Sequence, residues 1–305
     1  MMNFAAKYTA MYKNILSAFH QAWWDPVKKI YADGGQTAHS LALTLDAESK
    51  AIGVPGLMPT AAVKEATLHK LVTDIIANGN HTTCGIIGWR FQPYALSSNG
   101  YGELAYALMT QTTYPSIGYE IIGKTGEPAT TLWELWNSDE QGPSMNSRNH
   151  IMFGGNGVWL HTYVGGINNA PGSIGYEHVT ISPPASLIKA AVSKAIKAPG
   201  DTTSAPLTWT SAAKETLRGE FALFWSLGNS TLTVDVTVPA NALATTIVPL
   251  VGGGAQPTIT EGAAKVWEHG SYVSGVKGIR SAAKDGDTIQ IEHGSGNYHF
   301  VVEGF

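Results

Sequence analysis

The densest group of chemically able residues is Trp133-Glu134-Leu135-Trp136, followed a few residues on by Ser147-Arg148-Asn149-His150. A carboxylate is a candidate acid or base, and an indole presents an apolar face with a polar edge. An imidazole can donate to a hydroxyl. Each has a plainer reading: a solvated surface glutamate, tryptophans packed into a core at i, i+3 spacing, a histidine satisfied by a backbone carbonyl. Gln36 lines a pocket mouth or opens the helix after Asp33-Gly34-Gly35. Trp89-Arg90 is an aromatic and guanidinium corner or simple packing.

Other chemistries lack their residues. No His-Glu-x-x-His, no cysteine pair and no glycine loop ahead of Lys-Ser/Thr is present, so neither a metal nor a cofactor is expected. Gly294-Ser295-Gly296 is too short for a nucleophile elbow and precedes a strand pattern. His269, His293 and His299 have no ligand spacing. The lone cysteine, Cys84, reads as a small core residue and cannot form an internal disulfide.

Charged residues make up 14% of the chain and hydrophobic ones 44%. The surface must therefore be largely neutral polar and aromatic, a palette that suits sugars. A net charge of -4 gathers no phosphates, which excludes nucleic acid as a partner. The N-terminus reads as an amphipathic helix without a signal-peptide core, and no apolar run reaches membrane-spanning length. A soluble chain without a membrane partner is expected.

Two kinds of element must position these groups. Phe4, Tyr8, Met11, Ile15 and Phe19 recur at helical spacing, and a second helix follows from Gln36 to about Leu45. A third opens at Pro59-Thr60, carries Val63, Ala66, Leu68, Leu71, Ile75 and Ile76, and stops at Asn78-Gly79-Asn80. Shorter helices fall at 86–96 and 102–111, and a long one at 148–164, kinked around Gly154-Gly155-Asn156-Gly157. Near residues 168–172 the apolar period changes to two. Leu232, Val234, Val236 and Val238 alternate with polar residues, as do Ile289 and Ile291. Leu207–Trp209, Phe221–Trp225 and 298–302 add strands, with a helix at Ala185–Ile196 and turns that include Gly252-Gly253-Gly254. Two domains are expected, 1–170 helical and 171–305 an antiparallel β-sandwich.

From about Tyr8 onward the chain resembles bacterial α-L-rhamnosidases. The resemblance rests on Ala129-Thr130-Thr131-Leu132-Trp133-Glu134-Leu135-Trp136, Ser147-Arg148-Asn149-His150 and Phe153-Gly154. Tyr114-Pro115-Ser116, Gly35-Gln36-Thr37 and Gly165-Gly166-Ile167 keep the family's order, as do Val238-Pro239-Ala240-Asn241 and Gly294 through Phe300 in the closing sandwich. The family usually has arginine where this chain has Leu135.

This resemblance implies an (α/α)6 six-hairpin toroid, of which residues 1–170 form the second half, and a C-terminal β-sandwich. It implies hydrolysis of terminal α-L-rhamnosides with inversion, on a rhamnose-containing glycoside or polysaccharide. Glu134 maps onto the family's proposed general base and His150 onto a histidine of the sugar pocket, with Trp133, Trp136 and Gln36 as further sugar contacts. The family's general acid lies upstream of the matched segment. Among Asp25, Asp33, Asp74, Glu120, Asp139 and Glu140, none matches its motif. The alternative is an inactive carbohydrate-binding or structural remnant. Twelve helices with connections need roughly 250 residues, so apolar faces of the first and third helices should stand open and promote self-association.

Overall fold

The fold is given by a computed structural model that describes residues 4–123, 128–142, 146–193, 205–228, 230–251 and 256–304. α1 (Phe4–Trp23) follows the apolar period, yet only Leu16 is buried in it. Phe4, Tyr8, Met11 and Ile15 are each more than half exposed. A short antiparallel pair, β1 (Trp24–Asp25) and β2 (Ile30–Tyr31), leads into α2 (Gln36–Ala51).

α3 (Ala61–Ala77) starts where Thr60 Oγ1 accepts the Val63 N–H at 3.3 Å. It ends where Gly79 and Asn80 take positive φ and return their N–H groups to the carbonyls of Ile76 and Ile75. Leu71 and Ile75, four apart on one face, are fully buried. The expectation of an open third helix therefore fails except at Ile76, because α2 covers that face.

Short helices follow: α4 (Ile86–Trp89), α5 (Gln92–Ser97), α6 (Gly102–Thr110) and α7 (Ile117–Ile122). Gly88 lets α4 close on α2, since a Cβ there would lie 2.2 Å from Thr37 Oγ1. The single long helix expected at 148–164 is absent. A 3-10 turn (Ile151–Gly154), α8 (Gly155–Trp159) and a π turn (Leu160–Val164) take its place. Glycine is a poor helix former, and Gly155 presses its backbone against Arg90.

The chain divides into two compact units, Met1–Asn156 and Gly157–Phe305. The division precedes the change of apolar period because β3 (Ile167–Asn169) already pairs with β4 (His178–Ile181). α9 (Ala185–Ser193) matches the helix expected there, although the end of that helix, to Ile196, lies outside the described residues. The turn expected at Gly252-Gly253-Gly254 does too.

The other strands are β5 (Trp209–Thr216), β6 (Gly219–Leu227), β7 (Thr231–Val238), β8 (Leu243–Pro249) and β9 (Thr258–Glu261). After them come β10 (Ala264–Glu268), β11 (Ser271–Tyr272), β12 (Ile279–Asp285), β13 (Thr288–His293) and β14 (Gly296–Glu303). One sheet runs β11-β10-β9-β14-β7-β6-β5, the other β12-β13-β8-β4-β3. Strict alternation puts Leu232, Val234, Val236 and Val238 inside, with Phe300 registered opposite Val234. Their partners from the second sheet, Val179, Ile181, Val248, Ile289 and Ile291, complete a single apolar core. Each such side chain contributes about 1.5–3 kcal/mol. Pairing is antiparallel except between β4 and β8, which run parallel. Among the described residues no helix is long and apolar enough to cross a membrane.

His293 is fully buried in this core, its Nε2 2.8 Å from Thr246 Oγ1. Burial, with the nearby His178 adding to it, pulls its pKa from 6.5 down to about 4. A folded pKa below the unfolded one gives stability that is full above 6.5 and lost as pH falls through 4. The loss approaches about 3 kcal/mol. Urea unfolding of the second unit, followed from pH 7 to 4, should show it, and His293→Gln should flatten the dependence.

Candidate active site

The segment that carries Glu134 has neither helix nor strand, so its backbone polar groups need partners from elsewhere. They find them in the stretch that carries His150. The Glu134 N–H donates to the Ser147 carbonyl at 2.8 Å, and the His150 N–H donates to the Leu132 carbonyl at 2.7 Å. Thr131 Oγ1 donates to the Arg148 carbonyl. The Ser147 N–H closes the bracket by donating to Glu134 Oε2 at 2.9 Å. Two motifs separated in sequence are thereby held face to face.

Glu134 is half-buried, and its Oε1 has no hydrogen bond among the described residues. One oxygen is thus fixed and the other available to a proton. His150 is half-buried on the facing stretch. Arg148 lays its guanidinium over the Trp133 ring, 5.8 Å from the centroid, a contact that residue type alone did not signal. Leu135, in the place of the family's usual arginine, is exposed.

The two tryptophans stand differently from the sugar-facing expectation. Trp133 is 2% exposed and Trp136 7%. Trp136 stacks on Phe153 at 3.9 Å, meets Trp89 edge-on at 5.3 Å, and donates its Nε1–H to the Cys84 carbonyl at 2.8 Å. Its faces are spent on packing. It still borders a cavity of about 480 Å³, which His81, Thr82, Thr83, Tyr114 and Pro115 also line. Trp89 is fully buried, whereas Arg90 is exposed and lies over the Phe91 ring.

Gln36 lies inside a hydrogen-bond network. It is 1% exposed. Its Nε2 donates to Asp74 Oδ2 at 2.8 Å and to the His81 carbonyl at 3.4 Å. Its Oε1 accepts from the Thr83 N–H at 2.8 Å and from Gln92 Nε2 at 2.7 Å. Two donors and two acceptor sites are used, so the amide has nothing left for a sugar. Thr82 extends the network by donating to Gln92 Oε1 at 2.7 Å. Cys84 is buried, and burial pushes its thiol pKa up, away from nucleophilic use.

The acidic residues scatter. Asp25 Oδ1 accepts the N–H groups of Val27 and Lys28, and Asp33 Oδ1 that of Gly35. Both line a larger cavity, about 910 Å³, bordered by Phe19, Trp23, Trp24 and Tyr31 and not by Glu134. Glu140 accepts from the Tyr119 hydroxyl at 3.1 Å. Glu120 is almost wholly buried, and burial reinforced by Asp139 pushes its pKa up to about 8. Among the described residues, no three His, Cys, Asp or Glu side chains are grouped to hold a metal ion.

Residues 2–164 match the family model described as the bacterial alpha-L-rhamnosidase 6 hairpin glycosidase domain, and residues 166–258 that of the bacterial alpha-L-rhamnosidase C-terminal domain. An alpha-L-rhamnosidase of Formosa agariphila is 32% identical over 249 residues, covering 80% of this chain and 23% of that protein. One from Streptomyces avermitilis is 29% identical over 303 residues, covering 98% and 24%. Among solved structures, the alpha-L-rhamnosidase of Dictyoglumus thermophilum superposes with a TM-score of 0.75 at 28% identity, covering 98% of this chain and 28% of that one. The S. avermitilis enzyme complexed with L-rhamnose gives 0.72 at 27%, with 98% and 24% covered. The chain spans about a quarter of the length of these relatives.

Replacing Gln36 by leucine should strand the Gln92 amide, the Thr83 N–H and Asp74, lowering stability by about 3 kcal/mol. Urea midpoints check this. A contact with sugar would instead weaken L-rhamnose binding and leave the midpoint in place.

Proposed function

The chain belongs to the bacterial α-L-rhamnosidase family, and we propose that it supplies the general base, Glu134, of a glycoside hydrolase cleaving terminal α-L-rhamnosides with inversion. The observation that carries this reading is the state of the Glu134 carboxylate. Ser147 pins Oε2, and Oε1 is left without a hydrogen bond among the described residues. A base needs that combination: a fixed direction and a lone pair open to the proton of an attacking water. His150, bracketed opposite, is the proposed donor to a sugar hydroxyl. The relative crystallised with L-rhamnose supports a rhamnose-containing glycoside as the substrate class.

Inversion also needs a carboxylic acid ~6.5–9.5 Å from the base, on the other face of the sugar. Asp25, Asp33, Asp74 and Glu140 are committed to turns or to neutral partners, Glu120 is sealed in the interior, and Asp139 is half-buried with its Oδ1 closed off from solvent. We therefore assign the acid to a part of a longer protein outside these residues. That reading is supported by the quarter-length match to the relatives.

Natural rhamnosides need a protonated leaving oxygen, so the 305-residue chain should not turn them over. An aryl rhamnoside, whose phenolate leaves unaided, should show trace hydrolysis. Glu134→Gln should cut that trace by about 10²–10⁴-fold, and proton NMR should show the β-anomer of rhamnose forming first. Trace activity indifferent to Glu134→Gln, or an α-anomer first product, would sink the assignment.

The open face of α1, with Phe4, Tyr8, Met11 and Ile15, should drive concentration-dependent self-association of the isolated chain. Sedimentation velocity reads this directly, and a monodisperse monomer at high concentration is the contrary result.

A further inference from the structure

The solvent face of the seven-stranded sheet carries a hollow of about 500 Å³. Strand register accounts for it. Ser211, Phe224, Asp235 and His299 stand opposite one another on β5, β6, β7 and β14. At about 4.8 Å per strand, that row is roughly 14 Å long. Two residues further along, Ala213, Ala222, Thr237 and Asn297 make the next row on the same face. The two alanines end at Cβ and cannot fill the layer in which Phe224 and Asp235 stand. Phe224 is 37% exposed, and Trp209 beside it, 6.5 Å between centroids, is 59% exposed. The other face of these strands holds the core, so both rings are turned toward water.

The polar groups around the hollow are only partly used. His299 Nδ1 lies 2.5 Å from Asp235 Oδ1. A carboxylate accepts only, so Nδ1 carries the proton and Nε2 of the neutral ring presents a lone pair. Thr237 Oγ1 donates to Asn297 Oδ1 at 3.0 Å. Asp235 Oδ2, His299 Nε2 and Asn297 Nδ2 have no hydrogen bond among the described residues. Two acceptors and a donor thus share one place, and hydroxyls answer both kinds.

Other ligand classes fit less well. An anion meets the carboxylates of Asp235, Glu220 and Glu261, with no lysine or arginine among the described lining residues. An ammonium group has no acceptor for the Asn297 amide. A wholly apolar ligand strips water from all three polar groups and returns nothing. A neutral sugar offers hydroxyls at its edge and C–H groups on its face, which an aromatic ring accepts. The alanine floor leaves room for a methyl group such as that of a 6-deoxy sugar.

We propose that this hollow is a carbohydrate-binding site of the second unit, seating a neutral rhamnosyl unit. The sugar lays its C–H face on Phe224, extends over Trp209, and bonds its hydroxyls to Asp235, His299 and Asn297. That the sugar is L-rhamnose rests on the hydrolytic reading. Binding itself needs no turnover, and the signals that report it belong to residues 209 and 299, so the two readings fail by different measurements.

Nuclear magnetic resonance of the full chain, titrated with L-rhamnose, tests this. The Trp209 indole N–H and the His299 ring signals should shift and saturate, whereas D-glucuronate, which carries a carboxylate, should leave them in place. Asp235→Asn keeps an acceptor for His299 and turns the other oxygen into a donor. It should weaken binding, read at Trp209, by about tenfold. Trp209→Ala, on the edge strand, should weaken it about threefold to tenfold, read at His299, and it decides the matter if Asp235→Asn fails to fold. Signals that L-rhamnose does not move, or an affinity that both variants keep, would overturn the proposal. Shifts that follow protein concentration instead of sugar would assign the face to a second copy of the chain and overturn it equally.

Discussion

Glu134 sits on a stretch with no regular structure, so its position depends on where the backbone hydrogen bonds of that stretch go. They go to residues 147–150, and the Ser147 N–H also takes one oxygen of the Glu134 carboxylate. A loop held only by water would leave a base wandering over several ångströms. A loop whose N–H and C=O groups are paired across a second segment is as constrained as a short ladder, without needing strand geometry. The candidate site is therefore a pairing of two loops, and the helices around it serve as its mount.

The mount has two parts. On one side, Trp136 anchors the end of the loop in an aromatic stack with Trp89 and Phe153, and its indole N–H finds the Cys84 carbonyl. On the other, Gln36 joins α2, α3 and α5 through Asp74, Gln92 and the 81–83 segment. A buried amide that satisfies four partners at once specifies one arrangement of those helices, since any shift strands a polar group. Gln36 and Trp136 thus both spend their polar groups on partners inside the helical unit.

The two units spend their apolar residues differently. In the second, both sheets contribute to one continuous core, and a histidine within it is held neutral by burial. In the first, α1 turns a row of large apolar side chains outward. Periodicity is identical in the two cases. A helix with one apolar face states that a partner surface is needed, and says nothing about which surface supplies it.

What the sequence determined by itself is everything local. Alternation at residues 231–238 specifies a strand, Thr60 and Asn78-Gly79 bound a helix, and the ordered motifs from Gly35-Gln36-Thr37 to Phe153-Gly154 carry the family. Tertiary structure alone decided the rest. It broke residues 151–164 into three helical types, with Gly155 set close against Arg90. It made β4 a parallel neighbour of β8, a pairing that no local pattern encodes. It buried Gln36, Trp133 and Trp136, and it left Glu134 Oε1 without a hydrogen bond among the described residues. The physical reason is common to all of these. A side chain's type fixes which bonds it can make, whereas which partners lie within reach depends on residues dozens of positions away.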